Sequence, residues 1–250
     1  TQIEAIELIT NPSAKYEAAG NAGIINIKLK KNKSFGTNGN VNAGYNIGNY
    51  SKYNAGFALN HRNSKMNVFG NYNFNTGINL MAFKLYREQK DTIFDQNSKM
   101  LSRNKYGHNF KGGADFFIDK KSTIGVIVNG NISATDMETD GPMYIIHKPT
   151  NTVDRFLKAT NQNDSKRSNV NTNLNYRYAV TGGTELNIDA DYGIFRIKSD
   201  QFQPNDYYNA GGNIKLYSNV YHMISPTDVD IFSFKTDYER NFYKGKLGLG

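Results

Sequence analysis

Three carboxylates at alternate positions, Asp136, Glu138 and Asp140, form the densest group of metal-ligating side chains in the sequence. Carboxylates suit Ca²⁺, which takes oxygen ligands. An EF-hand loop that starts at Asp136 would place His147 at its twelfth position, where a bidentate glutamate is required. An EF-hand is therefore not expected. Asp136, Glu138 and Asp140 form either a looser calcium site or a solvated acidic loop, and the solvated loop is the favoured interpretation.

Other catalytic and metal-binding chemistry has little support in the sequence. The four histidines are widely separated, without the paired spacing that zinc ligands show, and cysteine is absent. No nucleophile elbow, zinc-protease motif or phosphate-binding loop is present. The sequence therefore predicts a protein that is not an enzyme and that carries no cofactor.

Aromatic residues are the remaining candidates for ligand binding. Tyrosine and phenylalanine are abundant, at 17 and 15 residues. Those in the segments that we predict to be long loops could stack on sugars or peptides, or could simply pack within the loops. These candidate ligand-contact residues are Tyr144, Phe156, Phe202, Tyr207 and Tyr208. Aromatic residues at predicted strand ends, such as Tyr45, Tyr53 and Tyr178, would suit the interface of a membrane.

Composition narrows the classes of protein. The formal net charge is +8, but apart from Lys28, Lys30, Lys31 and Lys33 the basic residues are dispersed, and no aromatic–basic motif accompanies them, so nucleic acid is not an expected partner. No apolar run of about 18 residues exists, which excludes a transmembrane helix. A mean hydropathy of −0.63 does not exclude a transmembrane barrel, because barrel strands alternate polar and apolar residues.

Alternation with a period of two runs through most of the chain and predicts β-strands. In residues 66–80, the even positions are mainly apolar, as at Val68, Tyr72 and Phe74, whereas most odd positions are asparagine. Residues 169–180 repeat this design. Similar rows begin near residues 41, 53, 124, 186 and 232, and a less regular row that contains His108 begins near residue 106. We count eight full strands and the start of a ninth at residues 246–250.

The connections alternate between short and long. Tight polar turns are predicted near Asn63, Lys120, Gly182 and Lys244, and long irregular loops are predicted at about 81–103, 135–167 and 199–227. Transmembrane barrels show this asymmetry, and strands of about 10–14 residues would cross the apolar band of a bilayer. The alternative is a soluble sandwich or barrel, but its strands are typically about 5–6 residues long and its solvated faces are not rich in asparagine.

The first 30 residues differ from the rest. Residues 3–10 alternate as a short strand, Asn11-Pro12 interrupts it, and Gly20 and Gly23 precede a second strand at residues 24–30. The motif Ile-Glu-x-Ile-Glu-x-Ile-Thr-Asn-Pro-Ser-Ala-Lys-Tyr-Glu, which begins at residue 3 and is followed by Gly-Asn-Ala-Gly-Ile-Ile-Asn-Ile, resembles the end of the plug domain in TonB-dependent outer-membrane receptors, in particular the outer-membrane β-barrel proteins of Bacteroidetes-type bacteria. The resemblance maps onto Glu7, Pro12, Ser13, Ala14, Tyr16, Gly20, Gly23, Ile25, Asn26 and Ile27.

This resemblance implies an all-β fold: an antiparallel transmembrane β-barrel, preceded by the C-terminal end of a plug. Residues 1–33 would be the last part of the plug, and residues 34–250 would be the first eight to nine strands of a larger, 22-stranded barrel. The chain would then be a fragment of a longer receptor in the outer membrane of a Gram-negative bacterium. Energy would come from TonB, through a motif in a plug segment that this sequence lacks.

The expected function is uptake of a ligand, such as a siderophore, glycan or peptide, through a plugged barrel. The expected partners are the TonB complex, the lipid bilayer, a small ligand or oligomer at the outer loops, and a surface lipoprotein. The alternatives are a soluble β-sheet binding or adhesion domain, and a barrel that signals or anchors partners without transport. The plug-like residues 3–30 disfavour a passive porin.

Overall fold

The computed structural model describes residues 3–9, 23–29, 35–180, 183–243 and 245–250, and every regular element in these ranges is a β-strand. Their alternating sequences contain β-branched and aromatic residues, which favour extended backbone. The strands are β1 (Ile3–Ile9), β2 (Ile24–Leu29), β3 (Gly36–Ile47), β4 (Ser51–Arg62), β5 (Met66–Gln89), β6 (Thr92–Phe117), β7 (Ser122–His147), β8 (Thr152–Ala179), β9 (Thr184–Asn209), β10 (Lys215–Phe242) and β11 (Gly245–Leu249).

The strands form two antiparallel sheets. β1 and β2 pair with each other, and β3–β11 form a nine-stranded sheet in which every strand pairs with its neighbours in sequence. The large sheet has β3 and β11 at its edges, and no pairing joins these two strands in the described part of the chain. The predicted all-β antiparallel fold is therefore confirmed, as are the eight full strands followed by a short ninth.

Tight turns link the strands at one end of the large sheet, which we call the turn end. At residues 63–65, the side chain of Asn63 accepts hydrogen bonds from the backbone N–H groups of Lys65 and Met66 at 2.8 and 2.9 Å. At residues 118–121, Asp119 accepts in the same way from Lys121 and Ser122 at 2.6 and 2.8 Å. These polar side chains satisfy backbone donors that the strands leave unpaired. The predicted turns at Gly182 and Lys244 fall outside the described residues.

The predicted long loops are wrong. The segments 81–103, 135–167 and 199–227 continue the strands, so that β5–β10 are 24–28 residues long rather than 10–14. These strands end in tight turns at residues 90–91, 148–151 and 210–214, which define the hairpin end of the sheet. The hydrophobic alternation fades there because polar residues occupy both faces, yet the backbone ladder continues in register.

The large sheet is a single layer with almost no core. The buried apolar side chains among the described residues are Ile93, Ala134, Ile145 and Leu157. The accessible surface is 17196 Å², against about 11,000 Å² for a typical folded monomer of 28.1 kDa. The excess arises because many large apolar side chains, such as Val41 and Phe232, lie exposed on the sheet. In water such a surface would have to be covered.

Candidate functional site

One face of the large sheet, which we call face A, carries an apolar band next to the turn end. Residues that are directly paired across strands share a face, so the register assigns the band without ambiguity. One row runs from Val41 through Phe57, Tyr72 and Phe110 to Gly130. A parallel row consists of Val68, Ala114, Val126, Leu174, Ala190 and Phe234. The band therefore crosses β3–β10 as one continuous surface.

Aromatic rings on neighbouring strands pack against each other within the apolar band. Tyr45 and Tyr53 pack with ring centroids 5.2 Å apart, and Phe57 and Tyr72 with centroids 5.9 Å apart. The one polar interruption predicted in these rows, His108, has a partner: its Nδ1 lies 2.6 Å from the hydroxyl oxygen of Tyr72. A hydrogen-bonded histidine among aromatic rings is compatible with an apolar environment.

The height of the apolar band matches the apolar layer of a bilayer. On β7 the band extends from Ile124 to Ala134, which is about 34 Å along an extended strand. A strand tilted by about 40° would therefore give a band about 25 Å tall, the height found in transmembrane barrels. Tyr178 lies at the turn end of the band, and Tyr45, Tyr53 and Tyr106 lie towards its other boundary, where interfacial aromatic residues are expected.

A line of charged residues limits the band on its hairpin side; we call it the charged margin. On each strand from β6 to β10, face A changes from apolar or small side chains to a charged one. The first charged residues are Lys105, Asp136, Lys166, Arg196 and Asp230. Lys105 reaches this face through a β-bulge, since Tyr106 pairs with Ala134 but Asn104 pairs with Thr135.

Ion pairs link neighbouring strands within the charged margin. The Nζ atom of Lys105 lies 2.7 Å from Oδ1 of Asp136, and this hydrogen bond holds the pKa of Asp136 below its usual value and raises the pKa of Lys105. Nη2 of Arg196 lies 2.7 Å from Oδ2 of Asp230 on the next strand. The side chains of these four groups are 24–48% exposed, so the margin is a partly solvent-accessible surface and not a buried ionic core.

The opposite face, face B, is rich in asparagine next to the turn end. Asn73, Asn109, Asn131 and Asn169 are directly paired across four neighbouring strands. The side-chain amide of Asn131 donates to Oδ1 of Asn109 at 2.7 Å, and Asn173 donates to Asp191 at 2.8 Å. Amide groups that bond both to one another and to water suit a wet face. Hence the two faces differ sharply over the same stretch of strand.

Glycines make room for the asparagine side chains on face B. The amide oxygens of Asn73, Asn75 and Asn171 lie where a Cβ atom would extend from Gly56, Gly107 and Gly193, at 2.3, 2.6 and 2.7 Å. The amides therefore lie flat against the neighbouring backbone. This arrangement explains why glycine and asparagine occur together in these strands.

The three candidate calcium ligands lie on strand β7 and not in a loop. All three side chains lie on face A in successive rows. The carboxylate of Asp136 already forms an ion pair with Lys105. Within the ranges that the structure describes, no three His, Asp or Glu side chains gather as a metal site. The spacing of Asp136, Glu138 and Asp140 is thus the two-residue period of a β-strand whose charged side chains all lie on one face.

The five candidate ligand-contact aromatics lie on strands and divide between the two faces. Tyr144, Phe156 and Tyr208 form a row on face A near the hairpin end, with centroid distances of 5.3 and 6.2 Å. Phe202 is also on face A, beside His222. Only Tyr207 is on face B, where its ring stacks on Tyr217 at a centroid distance of 4.4 Å. They therefore do not form one site.

Of the motif that resembles a plug, the structure describes Glu7, Gly23, Ile25, Asn26 and Ile27, whereas Pro12, Ser13, Ala14, Tyr16 and Gly20 lie outside the described residues. Glu7 pairs with Asn26 across β1 and β2, and its carboxylate accepts a hydrogen bond from the Asn26 amide at 3.0 Å. Lys28 forms an ion pair with the same carboxylate. Two residues of the motif therefore have a direct structural role, which is to fix the register of this hairpin.

The chain matches no protein-family model and no curated protein. In the part of the chain that the structure describes, no helix has the length and apolarity needed to cross a bilayer.

Proposed function

We propose that this protein forms part of the wall of a transmembrane β-barrel in the outer membrane of a Gram-negative bacterium. The single observation that carries this proposal is the apolar band on face A, which is bounded by charge on five successive strands and on β7 would be about 25 Å tall at a strand tilt of about 40°. A bilayer would cover this band, while the asparagine-rich face B would line a water-filled interior.

The length of chain on each side of the apolar band supports an orientation. Outer-membrane barrels have short periplasmic turns and long extracellular extensions. The turn end would face the periplasm, and the extensions of β5–β10 beyond the charged margin would stand outside the cell. In a barrel the edge strands β3 and β11 would pair with further strands, because open edges cannot be tolerated in lipid.

We further propose that the barrel imports a ligand in a TonB-dependent manner, with β1 and β2 as the last strands of a plug. The support is the resemblance of residues 7–27 to the end of such plugs, together with the paired β1–β2 hairpin that the Glu7–Asn26 bond stabilises. No bond-making chemistry is required in such a transporter, since the plug needs only to rearrange.

Two measurements on the protein expressed from its complete gene test this proposal. Fractionation should find it in the outer membrane; recovery in the soluble fraction would contradict the wall. A single cysteine at Ile25, which is exposed on β2, should react with a small maleimide faster in energised cells that contain TonB than in cells that lack it. Equal rates would contradict TonB-driven movement while leaving the wall intact.

A further inference from the structure

The distribution of charge between the two faces of the sheet changes beyond the charged margin. Face A becomes charged there, whereas face B has no charged side chain in five consecutive rows across β5–β10. We call this region the uncharged patch. Its residues are Gly77, Asn79, Met81, Phe83, Leu85, Gln96, Ser98, Met100, Ser102, Asn104, Thr135, Met137, Thr139, Gly141, Met143, Leu157, Ala159, Asn161, Asn163, Ser165, Ser199, Gln201, Gln203, Asn205, Tyr207, Tyr217, Asn219, Tyr221, Met223 and Ser225.

The patch contains no charged side chain, although the sequence as a whole is rich in them. Asp, Glu, Lys and Arg make up 21% of the sequence, so a region of this size would ordinarily hold about six of them. Charged residues mark its borders instead: Arg167 lies one row towards the turn end, and Arg87 and Arg155 lie one row towards the hairpin end. Charge is therefore confined to the surroundings of the patch.

The patch combines apolar side chains with neutral hydrogen-bonding groups. Five of the six methionines lie in it, and methionine adapts its shape to irregular apolar surfaces. The stacked rings of Tyr207 and Tyr217 add a flat aromatic surface. Amides and hydroxyls from Asn, Gln, Ser and Thr occupy most of the remaining positions, as in Gln201 and Ser102.

Two acceptors in the patch lack a donor. The Oδ1 atoms of Asn104 and Asn161 are buried and have no hydrogen-bond partner within the described structure. A buried acceptor without a donor is costly, so such atoms call for water or a ligand group that donates. A neutral hydroxyl or amide N–H satisfies this need without introducing a charge.

From these observations we infer that the transported ligand is an electrically neutral solute that offers hydrogen-bond donors beside apolar surface. This inference rests on the proposed function, in which face B lines the interior and the uncharged patch lies outside the cell. An ionised ligand would have to leave water for a surface without counter-charges, which costs free energy that a neutral ligand is spared. The patch therefore selects against anions and cations alike.

Substitutions of both signs at one position can test this inference without knowledge of the ligand. Gln201 lies in the patch, and Gln162 lies at the same level of the sheet on face A. The assay is growth of cells that carry the complete gene, in defined media with limiting nutrient, where deletion of the gene slows growth. We expect Gln201→Glu and Gln201→Lys each to raise the half-saturating nutrient concentration about tenfold, and Gln162→Glu and Gln162→Lys to leave it unchanged.

The outcomes separate the alternatives. Effects of opposite direction for Gln201→Glu and Gln201→Lys would reveal an ionised ligand and overturn the inference. No effect from either Gln201 variant would show that the patch does not contact the ligand, which also overturns it. Growth that is independent of the gene in every medium would instead contradict import itself, and the inference would fall with the proposed function.

Discussion

The ring of Phe110 covers Gly130 on the neighbouring strand, with its Cζ atom 2.6 Å from the place where a Cβ atom on residue 130 would be. The backbone carbonyl oxygen of Asn169 lies at the same distance from this place. Residue 130 is thus enclosed by a ring on one strand and a carbonyl on another. The apolar band is flat at this point because a side chain is missing.

Replacing Gly130 with alanine should destabilise the sheet. The added methyl group would meet both the ring and the Asn169 carbonyl, and the backbone carbonyl cannot move aside without disturbing the ladder. We expect a loss of about 1–3 kcal/mol in the free energy of unfolding, measured by denaturant titration of the protein in lipid vesicles. Gly48→Ala is the control, since nothing lies within 4 Å of a Cβ atom there. Equal stability of both variants would contradict the packing described for the band.

Arginine should be tolerated very differently on the two faces of β7. Val128 lies in the middle of the apolar band, and Asn129 lies beside it on face B. A cation at mid-bilayer on a lipid-facing surface costs about 2–4 kcal/mol. We therefore expect Val128→Arg to lower the unfolding free energy in vesicles by that amount and Asn129→Arg to have less than half this effect. The reverse order would place lipid against face B.

Acid should loosen the contact between two neighbouring hairpins. Lys148 donates to the Glu88 carboxylate, which lowers the pKa of Glu88 below its ordinary value of 4.5; the hydrogen bond from Tyr86 acts in the same direction. Since the folded pKa is lowered, the stabilisation is complete above the unfolded pKa and is lost as the pH falls through the folded pKa. The pair is half-exposed, so the effect is small and local.

Hydrogen exchange at the turn 90–91 measures this effect. After correction for the intrinsic exchange rate, protection of these amides should fall by about twofold to fivefold between pH 6 and pH 3. Glu88→Gln should remove most of this pH dependence, because its side chain does not titrate. A variant that keeps the full dependence would show that other groups control the hairpin.

The sequence predicts the fold well wherever apolar and polar residues alternate along a strand. The rows that contain Val68 and Tyr72 or Val170 and Leu174 lie on one face as predicted, and the turns at Asn63 and Lys120 end the strands. Next to the turn end, apolar and polar side chains alternate residue by residue, so the period of two is visible in the sequence. The plug and the transport function stay predictions.

The hairpin half of the sheet was predicted wrongly, for a physical reason. In that half the two faces differ in charge and not in hydrophobicity: one face carries charged side chains and the other carries uncharged ones. A hydrophobicity pattern does not detect this difference. Charge carries the missing signal: Asp136, Glu138 and Asp140 alternate with uncharged residues, and so do Asp228 and Asp230. The distribution of the five candidate aromatics between the faces was not predicted, because the segments that contain them were expected to be loops, in which alternation assigns no face.

The most direct test of the membrane wall uses two adjacent aliphatic residues that lie on opposite faces of the sheet. Val126 lies in the apolar band, and Ile127 lies on face B between Gly113 and Asn173. The chain contains no cysteine, so Val126→Cys and Ile127→Cys each introduce one reactive thiol. The protein is labelled in isolated outer membranes with a water-soluble maleimide, and again after solubilisation and unfolding as the reference.

If face A contacts lipid, the cysteine at position 127 should react at least tenfold faster than the cysteine at position 126, and the difference should vanish after unfolding. The reason is that a thiolate forms, and a polar reagent arrives, only where water reaches the side chain. Equal labelling of both positions in the membrane, or faster labelling at position 126, would contradict a membrane wall built from this sheet.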